Sequence, residues 1–150
     1  MPEKETLKRA AEDKQEGKSP STQAGEFVHE EIEHIREGKH GARSTKQAIA
    51  IGLSKARRAG VELPPPEPGT TSESTRKQAK RELKRAKSGS RSKAAKSSKR
   101  SRAVSAVLKR EGRSAASKTA LSRQAKSAAK RRSAASRSRS AKKAAATRKK

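Results

Sequence analysis

A chain of 150 residues has the length of one ordinary domain, but only 28% of it is hydrophobic and 26 of those residues are alanine, which excludes a large core. The formal net charge of +26 repels itself and attracts polyanions. With no cysteine, tryptophan or tyrosine and a single phenylalanine, Phe27, the composition excludes disulfide frameworks, thiolate nucleophiles, cysteine zinc sites and aromatic platforms for stacking unpaired bases.

Residues 3–16 have the spacing of a short helix, with Pro2 near its start, Glu3 and Glu5 in its first turn and Gly17 after its end. Its apolar face of Leu7, Ala10 and Ala11 is thin. The turn KSPSTQAG, 18–25, offers Ser21 or Thr22 as a cap. A second helix is expected over 21–37, because Ala24, Phe27, Val28, Ile32 and Ile35 fall on one stripe and Gly38 stops it. A short connection, 38–43, leads to STKQAIAIGLSKARRAG, 44–60, where start chemistry, periodicity and stop agree. Ser44 is the cap, and Gln47 is spaced to reach back to the Ser44 amide. Ala48, Ile49, Gly52, Leu53, Ala56 and Ala59 share one face, and Gly60 ends the helix. The pair reads as an antiparallel hairpin in which Gly52 lets two backbones approach closely. So few large side chains do not offset the ordering cost, and the hairpin alone is expected to be marginal.

The segment VELPPPEPG, 61–69, is a stiff boundary expected to hold two halves apart, since successive prolines fix φ and favour extended chain. Residues 75–87 return to helical spacing, with Thr75 and Gln78 repeating the capping-box pattern and Ala79, Leu83 and Ala86 as a narrow stripe on an otherwise basic helix. Residues 88–100 are low-complexity and expected to be flexible. Ala103, Val104, Val107 and Leu108 form a short apolar patch that stops at Gly112. A further helix over 114–132 has Leu121, Ala125 and Ala128 on one side and Lys118, Lys126, Lys130 and Arg131 around it. Arg36-Glu37-Gly38 and Arg110-Glu111-Gly112 each close a helix ahead of a basic one capped by Ser or Thr, which suggests a degenerate repeat. From Ser133 onward the sequence is read as composition alone.

The charge is distributed unevenly. Residues 1–43 carry eight Lys or Arg against ten Asp or Glu, residues 44–69 four against two, and residues 70–150 twenty-nine against three. So one-sided an arm exceeds what solubility requires and points to nucleic acid, with contacts to phosphates that position a protein without reading sequence. Glu26, Glu30, Glu31 and Glu33 are expected to compete with DNA for the arm within the molecule.

The run GKHGARSTKQAIAIGLSKARRAGVELPPP, preceded by EFVHEEIEHIREG, resembles a family of small basic bacterial proteins built on a domain of unknown function. The likeness covers residues 26–66 and is most specific in QAIAIGLS, Gln47 to Ser54; Lys55 stands where members often have Glu. It implies a bacterial source and no particular activity. The Lys/Ala/Ser-rich residues 88–150 resemble, in composition only, the tails of linker histones and the histone-like proteins of bacteria. That likeness implies an arm that is disordered when free and gains helix on DNA.

EFVHEEIEH, 26–34, sets His29 with Glu33 and Glu30 with His34 at i,i+4, but the two histidines are five apart, about 140° around a helix. The HExxH zinc motif needs four. No metal set, no cofactor and no catalytic constellation is expected, and the protein reads as a non-enzyme. The absence of a long apolar run argues against a membrane partner.

The expected fold class is mainly α with extensive disorder: a small helical hairpin plus a conditionally helical basic tail. Its parts are a short N-terminal helix and turn (1–20), the hairpin (21–60), a Pro-rich hinge (61–74) and a basic, mostly disordered nucleic-acid-binding arm (75–150). The expected function is sequence-nonspecific DNA binding and compaction, histone-like or nucleoid-associated, in the cytoplasm on the nucleoid. The alternatives are an RNA- or ribosome-associated protein, or a hairpin interaction module with a polyanion-anchoring tail, and the hairpin is a candidate surface for a protein partner or homodimer. The residues expected to meet phosphate are Arg57, Arg58, Arg76, Lys77, Lys80, Arg81, Lys84, Arg85, Lys99, Arg100, Arg102, Lys109, Arg110, Lys126, Lys130, Arg131, Arg132, Lys142, Lys143, Arg148, Lys149 and Lys150.

Overall fold

The computed structural model describes residues 2–88 and 98–148, and among them every regular element is helical. The elements are α1 (Lys4–Gln15), α2 (Pro20–Arg36), α3 (Thr45–Arg58), α4 (Glu73–Lys87), α5 (Ser98–Arg110), a single 3₁₀ turn (Ser114–Ala116), α6 (Lys118–Lys130) and α7 (Ala134–Arg148).

Helices α2 and α3 form the expected antiparallel hairpin, and Gly52 is where they touch. A Cβ at Gly52 would stand 2.7 Å from the Val28 Cα, so only glycine permits this separation. The hairpin buries its apolar side chains in two groups. At one end Phe27, Ala24 and Ala56 pack with Ala10 of α1 and Val61, flanked by Leu53 and Leu63. At the other, Ile32, Ile35, Ala42 and Ala48 pack with Ala115 and Ala116, flanked by Val28 and Leu121.

The hairpin therefore does not stand alone, which resolves the marginal balance expected for it. Helix α1 lies on α2 through Thr6, Ala10 and Asp13, whereas Leu7 is 41% exposed. This departs from the expected apolar face because the buried polar groups have partners. Glu30 Oε2 accepts the Glu3 amide at 3.0 Å, its carboxylate is bonded by Thr6, and Asp13 Oδ1 accepts from Lys18 Nζ at 2.7 Å.

The caps also sit slightly off the expected residues. Ser19 caps α2 with Pro20 in the first helical position, and Ser72, not Thr75, caps α4, accepting from the Thr75 amide at 3.3 Å. Ser44 accepts from the Gln47 amide at 3.2 Å as expected, but Gln47 Oε1 takes the Arg43 amide at 2.8 Å rather than that of Ser44.

The proline segment 61–67 forms no regular element and begins with a tight turn in which the Leu63 amide donates to the Val61 carbonyl at 2.8 Å, yet the halves are not held apart. After the turn at 68–70 the chain comes back, and α4 packs on α3 with Ala79 and Glu82 buried. Ser54 Oγ donates to Glu82 Oε1, and Gln78 Nε2 donates to the same oxygen at 3.3 Å. A buried carboxylate with two donors thus fixes a helix whose apolar stripe is otherwise narrow. The second return is longer. The Gly41 amide donates to the Leu108 carbonyl at 2.8 Å, the Ala42 amide to that of Gly112 at 3.2 Å, and Thr45 Oγ1 to that of Ala115 at 2.7 Å. A Cβ at Gly41 would overlap the Glu111 carbonyl oxygen. The turns after the two Arg-Glu-Gly sequences meet here.

The expected extensive disorder finds no support, because the described part of the arm is helical. Alanine favours helix, Ser72 and Ser117 supply caps, and the docked turn at 114–116 anchors the start of α6. Most of the stretch expected to be flexible, 89–97, lies outside the described residues.

Candidate nucleic-acid interface

Most of the expected cations stand in solvent, and the helices explain why. On α4 the buried Ala79 and Glu82 and the half-buried Leu83 and Ala86 face α3, leaving Lys77, Lys80, Arg81, Lys84 and Arg85 exposed. Arg76 is half-buried and pairs with Glu73 at 3.3 Å. Lys99, Arg102, Lys109 and Arg110 are exposed on α5, and Lys126 and Lys130 on α6. Arg131 and Arg132 are exposed beyond α6, as are Lys142, Lys143 and Arg148 on α7. Arg132 reaches forward to Ser136 and Ser140 and so ties the start of α7. The side chain of Arg100, and Lys149 and Lys150, lie outside the described residues.

Arg57 corrects the expectation. It is only 7% exposed, its Nε donates to the Leu63 carbonyl at 3.4 Å, and desolvation lowers its pKa against the opposing charge of Glu82. It closes the junction of α3 with the proline segment and is not a surface for phosphate. Arg58, one position on, is exposed, with Nε on the Ser54 carbonyl at 3.2 Å.

The acidic residues of α2 are engaged by their own half. Glu26 pairs with Arg9 at 2.6 Å, Glu33 with Arg36 at 2.7 Å, Glu30 with Lys55 at 3.1 Å and Glu31 with Lys55 at 2.6 Å. Lys55, the substitution noted beside the QAIAIGLS run, neutralises two carboxylates that are almost wholly buried. These glutamates are poorly placed to draw the arm away from a ligand.

The sequence reading missed a cationic concavity where the arm docks, lined by Arg36, Arg113, Ala116, Ser117 and Lys118. Arg36 Nε donates to the Ala116 carbonyl at 3.1 Å, and Arg113 Nη1 reaches toward the Arg36 carbonyl at 3.5 Å. Two guanidiniums and an ammonium from opposite halves converge there, with Glu33 on Arg36 as a neutralising partner. Spacing along the chain carries no sign of this, since Arg36 and Arg113 meet only because the arm folds back.

Phe27 is 1% exposed, so the lone aromatic ring is core and offers no face to a base. Among the described residues no helix is long and apolar enough to cross a membrane.

Residues 14–67 match a family of unknown function, DUF6496, a span that runs from the end of α1 through the hairpin and most of the proline segment. An uncharacterised domain is thereby marked in that part of the chain, and the match ends before the basic arm. No curated protein and no solved structure matches.

Proposed function

We propose that this protein binds duplex DNA irrespective of sequence, in the manner of histone-like and nucleoid-associated proteins, with the uncharacterised domain as a platform for the basic arm. The observation that carries the reading is the one-sided charge of residues 70–150, twenty-nine Lys or Arg against three Asp or Glu, combined with the exposure of most of the described ones, on and between α4 to α7. The four carboxylates of α2 are paired with cations of the first sixty residues. With the only aromatic ring buried, binding rests on phosphates, which position protein without conveying base identity. The cluster of Arg36, Arg113 and Lys118 is a natural first seat for a phosphate because three cations share it. The arm thus resembles linker-histone tails in chemistry, but with helices already present on which the cations are spaced, and it implies a place on the nucleoid.

Fluorescence anisotropy on two unrelated DNA duplexes and one RNA duplex of equal length tests the proposal. The two DNA affinities should agree within about tenfold, since phosphate contacts carry no sequence information. A hundredfold preference for one DNA duplex, or binding to RNA alone, would overturn it.

A further inference from the structure

We propose that Glu31, His34 and His40 form a binding site for a divalent transition metal of the zinc class. Helix α2 sets Glu31 and His34 three residues apart on one face, and the turn after it brings His40 over them. Each offers one ligand atom, and the three atoms lie within 4.8 Å of one another. Ligands about 2.0–2.2 Å from a tetrahedral ion stand about 3.4 Å apart, so closure needs the widest pair to shorten by up to about 1.4 Å. The imidazoles are half-buried and the Glu31 side chain is 1% exposed, so the carboxylate is fixed and the rings can move.

The hydrogen bonds already have the form of a metal site's outer shell. His40 Nδ1 lies 3.1 Å from the Gly41 carbonyl oxygen, which only accepts, so that nitrogen carries the proton. In a neutral ring the bare Nε2 then faces Glu31 Oε1 at 3.2 Å, two acceptors against each other, which a cation between them satisfies. The other oxygen, Oε2, is held by Lys55 at 2.6 Å, and Glu3 Oε1 steadies His34 through Nε2 at 2.8 Å. Two imidazoles and a carboxylate suit zinc, copper, nickel or iron better than magnesium or calcium, and three protein ligands leave a position for water. In the sequence, His29 and His34 fall about 140° apart around α2, so no metal set is expected there. His29 is exposed on α2, while the second nitrogen ligand comes from the turn.

The chain has three histidines and no cysteine, which keeps background binding low and makes the test simple. Full-length protein is titrated with Zn2+ by calorimetry, with Mg2+ as competitor and Co2+ as a spectroscopic stand-in. One equivalent of Zn2+ should bind at micromolar concentration or tighter, unaffected by Mg2+, and Co2+ should develop visible d–d bands. His40→Ala and His34→Gln, each verified as folded by circular dichroism, should weaken binding at least about tenfold, while His29→Ala leaves it unchanged. Absence of Zn2+ binding, binding that neither variant weakens, or binding that His29→Ala weakens equally would overturn the proposal.

Discussion

Helices α3 and α7 have nearly the same length, 14 and 15 residues, and both carry several cations, yet they are helical for different reasons. Helix α3 is held by what it buries: Ala48, Gly52 and Ala56 against α2, with Lys55 between two carboxylates and Arg57 inside the molecule. Helix α7 has no buried residue among those described, and Ser136 is its one half-buried position. Its order rests on alanine propensity and the Ser133 hydroxyl, which takes the Ser136 amide at 3.2 Å. A lysine in α3 neutralises a buried partner; a lysine in α7 is presented to solvent. Whether a cation supports the fold or recruits a polyanion is therefore decided by its neighbours and not by its residue type.

The largest effect that separates the two regions should come from Phe27→Ala, which removes the biggest buried side chain and is expected to lower unfolding stability by about 3–5 kcal/mol. Val104→Ala, on an exposed face of α5, should change it by less than about 0.5 kcal/mol. Equal losses in thermal unfolding would erase the distinction. Gly41→Ala is expected to act at the docking turn, where the new methyl overlaps the Glu111 carbonyl, at about 1–3 kcal/mol. Hydrogen exchange of the Ala42 amide should accelerate at least about tenfold while the middle of α3 stays protected, and a uniform acceleration would mean that docking and hairpin are one unit.

A smaller effect is expected from acid. Burial raises the Glu30 pKa, but the Glu3 amide, Thr6 and Lys55 together outweigh it and hold the carboxyl below its ordinary range. Its folded pKa lies below the unfolded one, so its contribution is complete above the ordinary carboxylate value and is lost as pH falls through the folded value. Acid unfolding of wild type and Glu30→Gln should converge in that window. Curves that remain equally separated to the lowest pH would contradict this role for Glu30.

The hairpin was legible in the sequence because periodicity and stops agree over 21–60 and Ser44 caps α3, although the cap of α2 falls earlier, on Ser19, and even the close approach at Gly52 follows from the residue itself. The covering of that hairpin was not. Glu30 and Glu82 look like solvated charges until Thr6, Lys55 and Ser54 are brought to them, and Ala115 and Ala116 look like tail composition until they fill the space beside Ile35. Arg57 was misread for the same reason: a basic residue at a helix end gives no sign in sequence that the chain folds over it. The histidine cluster was hidden because His40 is contributed by a turn, where helical spacing has no meaning.

The salt dependence of affinity tests most directly the claim that the arm works through phosphates. If about ten of its cations neutralise phosphates together, log affinity against log salt should fall with a slope near −9 on duplex DNA, and replacing Lys130, Arg131 and Arg132 with alanine should reduce its magnitude by up to about 3 on any duplex. A slope near zero, or one that the triple replacement leaves unchanged, would contradict the account.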